Sequence, residues 1–143
     1  NVSNLGAIIF AIMAGLSTTL EAFFNGELEK NTTALIATFI SLIVGALFFL
    51  IGILVAGDFK DLIKVGPIKP VLLLGGVFGG LIIYFTVKAI PALGVSKTLT
   101  LIVVSQIFLG FIIDSFILGK NTTHLYNYIG AALVFIGVFF MLN

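Results

Sequence analysis

Apolar residues run along this chain in five blocks, from about Leu5 to Phe24, Ala34 to Ala56, Val71 to Val87, Ala92 to Leu118 and Tyr126 to Leu142, with short polar punctuation between them. Each block is near the roughly 20 residues that a helix needs to cross the hydrocarbon of a bilayer at about 1.5 Å rise per residue. The breaks carry residues that stop helices and turn chains: Asn25-Gly26 with Glu27, Glu29 and Lys30; Gly57-Asp58 with Lys60, Asp61 and Lys64; Pro91; and Gly119-Lys120-Asn121. Every connection is short. The pattern therefore predicts an all-α, polytopic membrane protein whose five transmembrane helices pack as antiparallel neighbours in a single domain over residues 1–143. Lys30-Asn31-Thr32-Thr33 and Lys120-Asn121-Thr122-Thr123 each precede a new helix. Their Asn and Thr side chains suit the capping of free N–H groups; both also match the Asn-x-Thr glycosylation pattern, and capping is the favoured reading.

Composition strengthens this picture: 60% of residues are hydrophobic and 9% charged, and the mean hydropathy is +1.29, more apolar than a soluble core of this length requires. Most of the chain belongs in lipid. A net charge of +1 gives no ground for a nucleic-acid partner. The absence of cysteine excludes disulfides and thiolate chemistry. His124 has no histidine or carboxylate at metal-ligand spacing and reads as a loop residue. No metal site and no cofactor is expected, and no nucleophile-base pair points to an enzyme. The first block lacks a preceding basic segment, so it reads as a retained helix rather than a cleaved signal.

Charge also bears on orientation. With five spans, one side of the membrane holds Lys60, Lys64, Lys69 and Lys120, and the other holds Lys30, Lys88 and Lys97. Orientation follows the lysine and arginine bias of short loops, and this bias is almost nil. The expectation is a protein that inserts both ways up and pairs with a second copy of itself as an antiparallel, dual-topology homodimer of ten helices.

Small residues mark candidate packing faces: Thr38, Ser41, Gly45 and Gly52 on the second span, Gly75, Gly76, Gly79 and Gly80 on the third, and Gly130 and Gly137 on the fifth. Helices approach closely at such positions in lipid, where packing drives association. The polar residues inside the spans carry the candidate chemistry, since a polar group facing hydrocarbon is costly and an intramembrane ionisable group is a functional candidate. On the first span, Ser17 and Asn25 lie about 40° to either side of Glu21 and Thr18 about 60° away, forming one polar stripe. Glu21 is a candidate for proton coupling, because a desolvated carboxyl can exchange protons near neutral pH; the other reading ends the helix at Phe24 and leaves Glu21 at the interface. On the fourth span Ser105 and Gln106 lie close to mid-membrane, where they could meet a solute. Lys97 and Asp114 stand nearer its two ends, as gating or coupling candidates or as interfacial residues. Tyr84 continues the line from Gly76 and Gly80, either as a wall of a solute site or as an interfacial anchor.

Three stretches resemble the drug/metabolite transporter superfamily, and most closely its half-size, five-helix YdcZ-type family. Leu20-Glu21-Ala22-Phe23-Phe24-Asn25-Gly26-Glu27-Leu28 resembles the family's pattern of a polar residue, four positions, an asparagine and then a leucine, with Glu21 where glutamine is usual. The run from Tyr84 through Lys88-Ala89-Ile90-Pro91-Ala92-Leu93-Gly94 is similar to the superfamily's proline-containing junction. Ser105-Gln106 through Ile113-Asp114-Ser115-Phe116 resembles its glutamine and aspartate-aromatic signature, the most specific of the three. The last helix, Ile129 to Val138, also resembles the dimerising helix of the small multidrug resistance proteins. That group's essential glutamate, matched through Thr18-Thr19-Leu20, falls on Ala14, so Glu21 is a different carboxylate.

The resemblance implies half of a ten-helix transporter, completed by dimerisation, in a prokaryotic plasma membrane. The resulting expectation is an alternating-access carrier of a small solute, its cavity lined by Ser17, Thr18, Glu21, Tyr84, Ser105 and Gln106, with Glu21, Asn25, Lys97 and Asp114 as coupling or gating candidates. The alternative is a non-transporting membrane subunit, or one half of an obligate heterodimer.

Overall fold

A computed structural model describes residues 3–117 and 125–143, and every described element is helical. Helix α1 spans Asn4–Glu29 and α2 spans Ala34–Ala56. A short α3, Phe59–Ile63, and a 3-10 turn, Pro70–Leu73, lead into α4, Leu74–Ile112, which passes into a π-helical segment, Ile113–Ile117. The last helix is α5, Leu125–Leu142. Four stretches among the described residues are long and apolar enough to cross a membrane: α1, α2, α5 and the continuous run Pro70–Ile117.

Local chemistry explains the ends. The Ser3 hydroxyl accepts from the Gly6 N–H at 3.1 Å to start α1. The Thr33 hydroxyl accepts from the Ile36 N–H at 3.2 Å to start α2, so the first Lys-Asn-Thr-Thr run caps a helix through its last residue. The second run, with His124, lies outside the described residues. Gly57 closes α2 at φ 81°, a left-handed conformation that glycine adopts without a Cβ clash.

Two expected boundaries move. α1 does not stop at Phe24 but continues through Asn25-Gly26 to Glu29. The Asn25 side chain is buried and accepts a hydrogen bond from the Ser41 hydroxyl, so it ties two helices together instead of turning the backbone. Gly26, for its part, leaves room for Ile90, whose side chain would lie 3.7 Å from an added Cβ. The second change concerns Pro91, which stands inside α4; the helical path is broken three residues later, at Gly94, with φ 81° and ψ 168°. Proline keeps a helical φ although it lacks an N–H and crowds the carbonyl four residues earlier, whereas the positive φ at position 94 is accessible to glycine at little steric cost.

Contacts divide the chain into two units, 1–91 and 92–143. In the first, α1 packs on α2, and Ala34, Ile83 and Val87 form a small core with Tyr84 half-buried against it. Ala22, Ala37 and Thr38 are also buried, and a Cβ at Gly80 would come within 3.2 Å of Leu42 Cδ1. Small side chains thus allow the approach that lipid-embedded helices rely on. Of the expected glycine faces, Gly80 meets a neighbour, whereas a Cβ at Gly75, Gly76, Gly79, Gly130 or Gly137 would meet nothing within 4 Å among the described residues. In the second unit the Thr100 hydroxyl, which donates to the Ser96 carbonyl, also lies 3.6 Å from Met141 Sδ. Large apolar side chains face outward, with Phe49 70% and Val55 84% exposed; on a membrane-spanning chain these are surfaces for lipid or for another protein.

Candidate functional site

The clearest convergence of polar groups lies in the first unit, between α1 and α2. An open cleft of ≈ 440 Å³ is walled on the α1 side by Glu21, Phe24, Asn25 and Leu28 and on the α2 side by Ile40, Ser41, Val44, Gly45 and Phe48. The spacings explain why these residues meet. Glu21, Asn25 and Leu28 recur at four and three along α1, and Ser41, Gly45 and Phe48 do the same along α2, so each set forms one stripe. Where the stripes face each other, Gly45 contributes no side-chain bulk and keeps the cleft open.

The three polar residues play different parts. The Ser41 hydroxyl donates to Asn25 Oδ1, and this contact crosses between the helices. Asn25 is buried; unbonded, its carboxamide would carry the desolvation cost of a polar group in an apolar setting. Glu21 is one turn nearer the middle of α1 and has no ion pair among the described residues, where Glu27 and Lys30 at 2.9 Å are the salt bridge formed. That pair marks the polar end of the helix. Glu21 precedes Glu27 by six residues, about 9 Å along the axis, so its carboxyl sits inside the apolar stretch and not level with the terminal charges. The continuation of α1 to Glu29 overturns the expected helix end at Phe24.

The other candidates from the first unit are less engaged. Ser17 is exposed on α1 and outside the cleft lining. Thr18 is half-buried and its hydroxyl donates to the Ala14 carbonyl at 2.7 Å. Tyr84 packs on the core, with its ring edge-on to Phe85 at 5.7 Å. Ser41 was missed as a polar partner: its place on the small-residue face of α2 was visible, its register against Asn25 was not.

The second unit disperses its candidates along one helix. The Ser105 hydroxyl donates to its own helix at the Leu101 carbonyl, 2.9 Å away. Gln106 and Lys97 are exposed. Asp114 is half-buried within the π-helical segment. Thr98 is buried, and its hydroxyl has no hydrogen-bond partner among the described residues. Among those residues no group of three His, Cys, Asp or Glu side chains could hold a metal ion.

Comparison with known families matches residues 6–140 to a family model described as "Putative inner membrane exporter, YdcZ". Comparisons with curated proteins and with solved structures give no match.

Proposed function

The chain belongs to this YdcZ exporter family, a group of multi-pass transporters of the plasma membrane, and from that premise we propose that it carries a small solute by alternating access, with the α1–α2 cleft as part of the solute path. The observation that carries this reading is the meeting of Glu21, Asn25 and Ser41 from two long apolar helices at one cleft. A carboxyl kept there without a counter-charge is a group that solute or proton must satisfy. Glu21 is then the binding and proton-coupling residue, and Asn25 holds α2 in register beside it.

The working assembly is an antiparallel homodimer of five-span chains. Pro70–Ile117 is 48 residues long, about 72 Å as a straight helix, more than twice the hydrocarbon thickness. A break at Gly94 divides it into two crossings of roughly 35 Å each, giving five spans in one domain. The near balance of lysines supports insertion both ways up. The open faces at Gly75, Gly76, Gly79, Gly130 and Gly137 supply surfaces on which a second copy can pack. In such a pair the two Glu21 carboxyls lie toward opposite faces, while Ser105 and Gln106 of both copies lie near the centre; Ser17, Thr18 and Tyr84 line the approach, and Lys97 and Asp114 gate the ends.

Two measurements test the proposal. Reporters fused after Asn143 should be read on both sides of the membrane, and one orientation alone would remove the antiparallel dimer. Proteoliposomes on a solid-supported membrane should give transient currents on concentration jumps across a panel of small amines, amino acids and organic acids. Currents no larger than those of protein-free liposomes for every member would remove the carrier.

A further inference from the structure

We infer that the α1–α2 cleft selects organic cations: a protonated amine joined to an apolar body, in preference to anions, neutral solutes of the same shape or metal ions. The inference rests on the reading of this cleft as the solute site and adds the chemistry of its occupant.

Charge sets the first limit. Among the described residues the cleft holds one carboxylate, Glu21, and no lysine, arginine or histidine, and no described cation pairs with Glu21. An anion would meet uncompensated like charge. A neutral solute would offer the Glu21 carboxylate, which is exposed along the cleft, no opposite charge and at most an uncharged hydrogen bond, the weaker contact. A lipid chain entering from the open side would do the same.

Ligand number sets the second limit. The oxygen-bearing side chains are Glu21, Asn25 and Ser41, and the last two are already bonded to each other. Calcium and magnesium need about six oxygens around them, which three side chains in a cleft walled by carbon do not supply, and no histidine or cysteine lines it to hold zinc. An ammonium needs far less: one charge-assisted hydrogen bond to the carboxylate, with its remaining protons on water.

The walls set the third. Phe24 of α1 and Phe48 of α2 line it together with Ile40 and Val44 of α2, so beyond the polar residues the cleft is apolar and carries two aromatic rings. Such walls suit hydrocarbon or an aromatic ring attached to the amine, and aromatic faces attract cations in their own right. A volume of ≈ 440 Å³ lies within the range of small-ligand sites and accommodates one such molecule.

The chain contains no cysteine, so a thiol introduced in the cleft reports on it alone. Full-length protein carrying Val44→Cys, reconstituted in nanodiscs, is labelled with N-ethylmaleimide in the presence of phenethylammonium, 2-phenylethanol or phenylacetate; Ile40→Cys serves as a second reporter position. Phenethylammonium at about 10 mM, ten times a weak millimolar Kd, should slow labelling by about tenfold, and the other two should leave the rate unchanged. Glu21→Gln should abolish the protection and Glu21→Asp should retain it. Equal protection by 2-phenylethanol or phenylacetate, or protection that survives Glu21→Gln, would overturn cation selectivity while leaving the cleft as a solute site. Absence of protection by phenethylammonium, cyclohexylmethylammonium and octylammonium at about 10 mM, ten times a weak millimolar Kd, would also overturn it. Thiols at both positions that do not label at all would mean that a second copy or lipid fills the cleft, which removes the site itself.

Discussion

Two stretches of this chain carry polar residues at membrane depth, and they use them differently. In the first unit, Glu21 and Asn25 of α1 face Ser41 of α2 across a cleft, so the geometry that gives them meaning lies within one unit. In the second, Ser105 returns its proton to its own helix, and Gln106 is exposed, as Glu21 is, but is not among the residues that line the cleft. A polar side chain answered by a second helix can hold a solute within one chain, whereas one on an open helix face acquires a role only when something else covers it. On the proposed function, the contrast separates a site built within one chain from half of one.

The largest expected effect tests that separation directly. Glu21→Gln should lower solute flux in proteoliposomes by at least about tenfold, because it removes the one charge in the cleft. Gln106→Ala should lower it only a few-fold, since an uncharged carboxamide is replaced by water in both copies. A silent Glu21→Gln beside an inactive Gln106→Ala would invert the comparison and move the solute site to the second unit.

Next in size is the boundary between the two units. Gly94 has φ 81°, and a β-branched residue there meets the clash between Cβ and carbonyl that costs about 1–2 kcal/mol. Gly94→Val should therefore destabilise the protein by at least that amount in denaturant unfolding followed by circular dichroism. Pro91→Ala should act in the opposite sense, because the helix runs through Pro91 and alanine restores an N–H donor there. Strong destabilisation by Pro91→Ala with little from Gly94→Val would show that proline, not glycine, makes the break.

Smaller still is the pairing of Asn25 with Ser41. A double-mutant cycle with Asn25→Ala and Ser41→Ala should return a coupling of about 0.6–1.7 kcal/mol, the range for polar contacts between helices in lipid. Ser105→Ala, by contrast, should leave unfolding within about 0.5 kcal/mol of the parent, since its hydroxyl bonds only its own backbone.

Much of this was legible from residue order. Runs of apolar residues marked the helices, Thr33 in its Lys-Asn-Thr-Thr run marked a cap, and the four-residue spacing of Glu21 and Asn25 put them on one face. The rest depended on tertiary register, which periodicity along one helix cannot supply. Ser41 sat on a recognised small-residue face, but only the packing of α2 on α1 sets it opposite Asn25. Asn25-Gly26 has the residues of a turn, and burial kept it helical. Pro91 is the conspicuous breaker in the sequence, yet the backbone breaks at Gly94, because a positive φ belongs to a conformation and not to a residue type.

The same limit applies to the glycines, and they provide the finest test of the comparison. A methyl at Gly80 would land 3.2 Å from Leu42 Cδ1, the far end of a flexible side chain on a residue 41% exposed. Leu42 can turn away, so the crowding at Gly80→Ala offsets a helix-propensity gain of roughly 0.5–1 kcal/mol, and the net change in stability should be near zero. Gly130 has open space around it, so Gly130→Ala should show the full gain in the monomer. If the fifth helix is where two copies meet, the same methyl separates them, because close approach at small residues is what such contacts depend on. Gly130→Ala should then stabilise the monomer against denaturant while lowering the dimer fraction measured by light scattering in detergent. A gain in stability with an unchanged dimer fraction would place the contact between copies elsewhere on the chain.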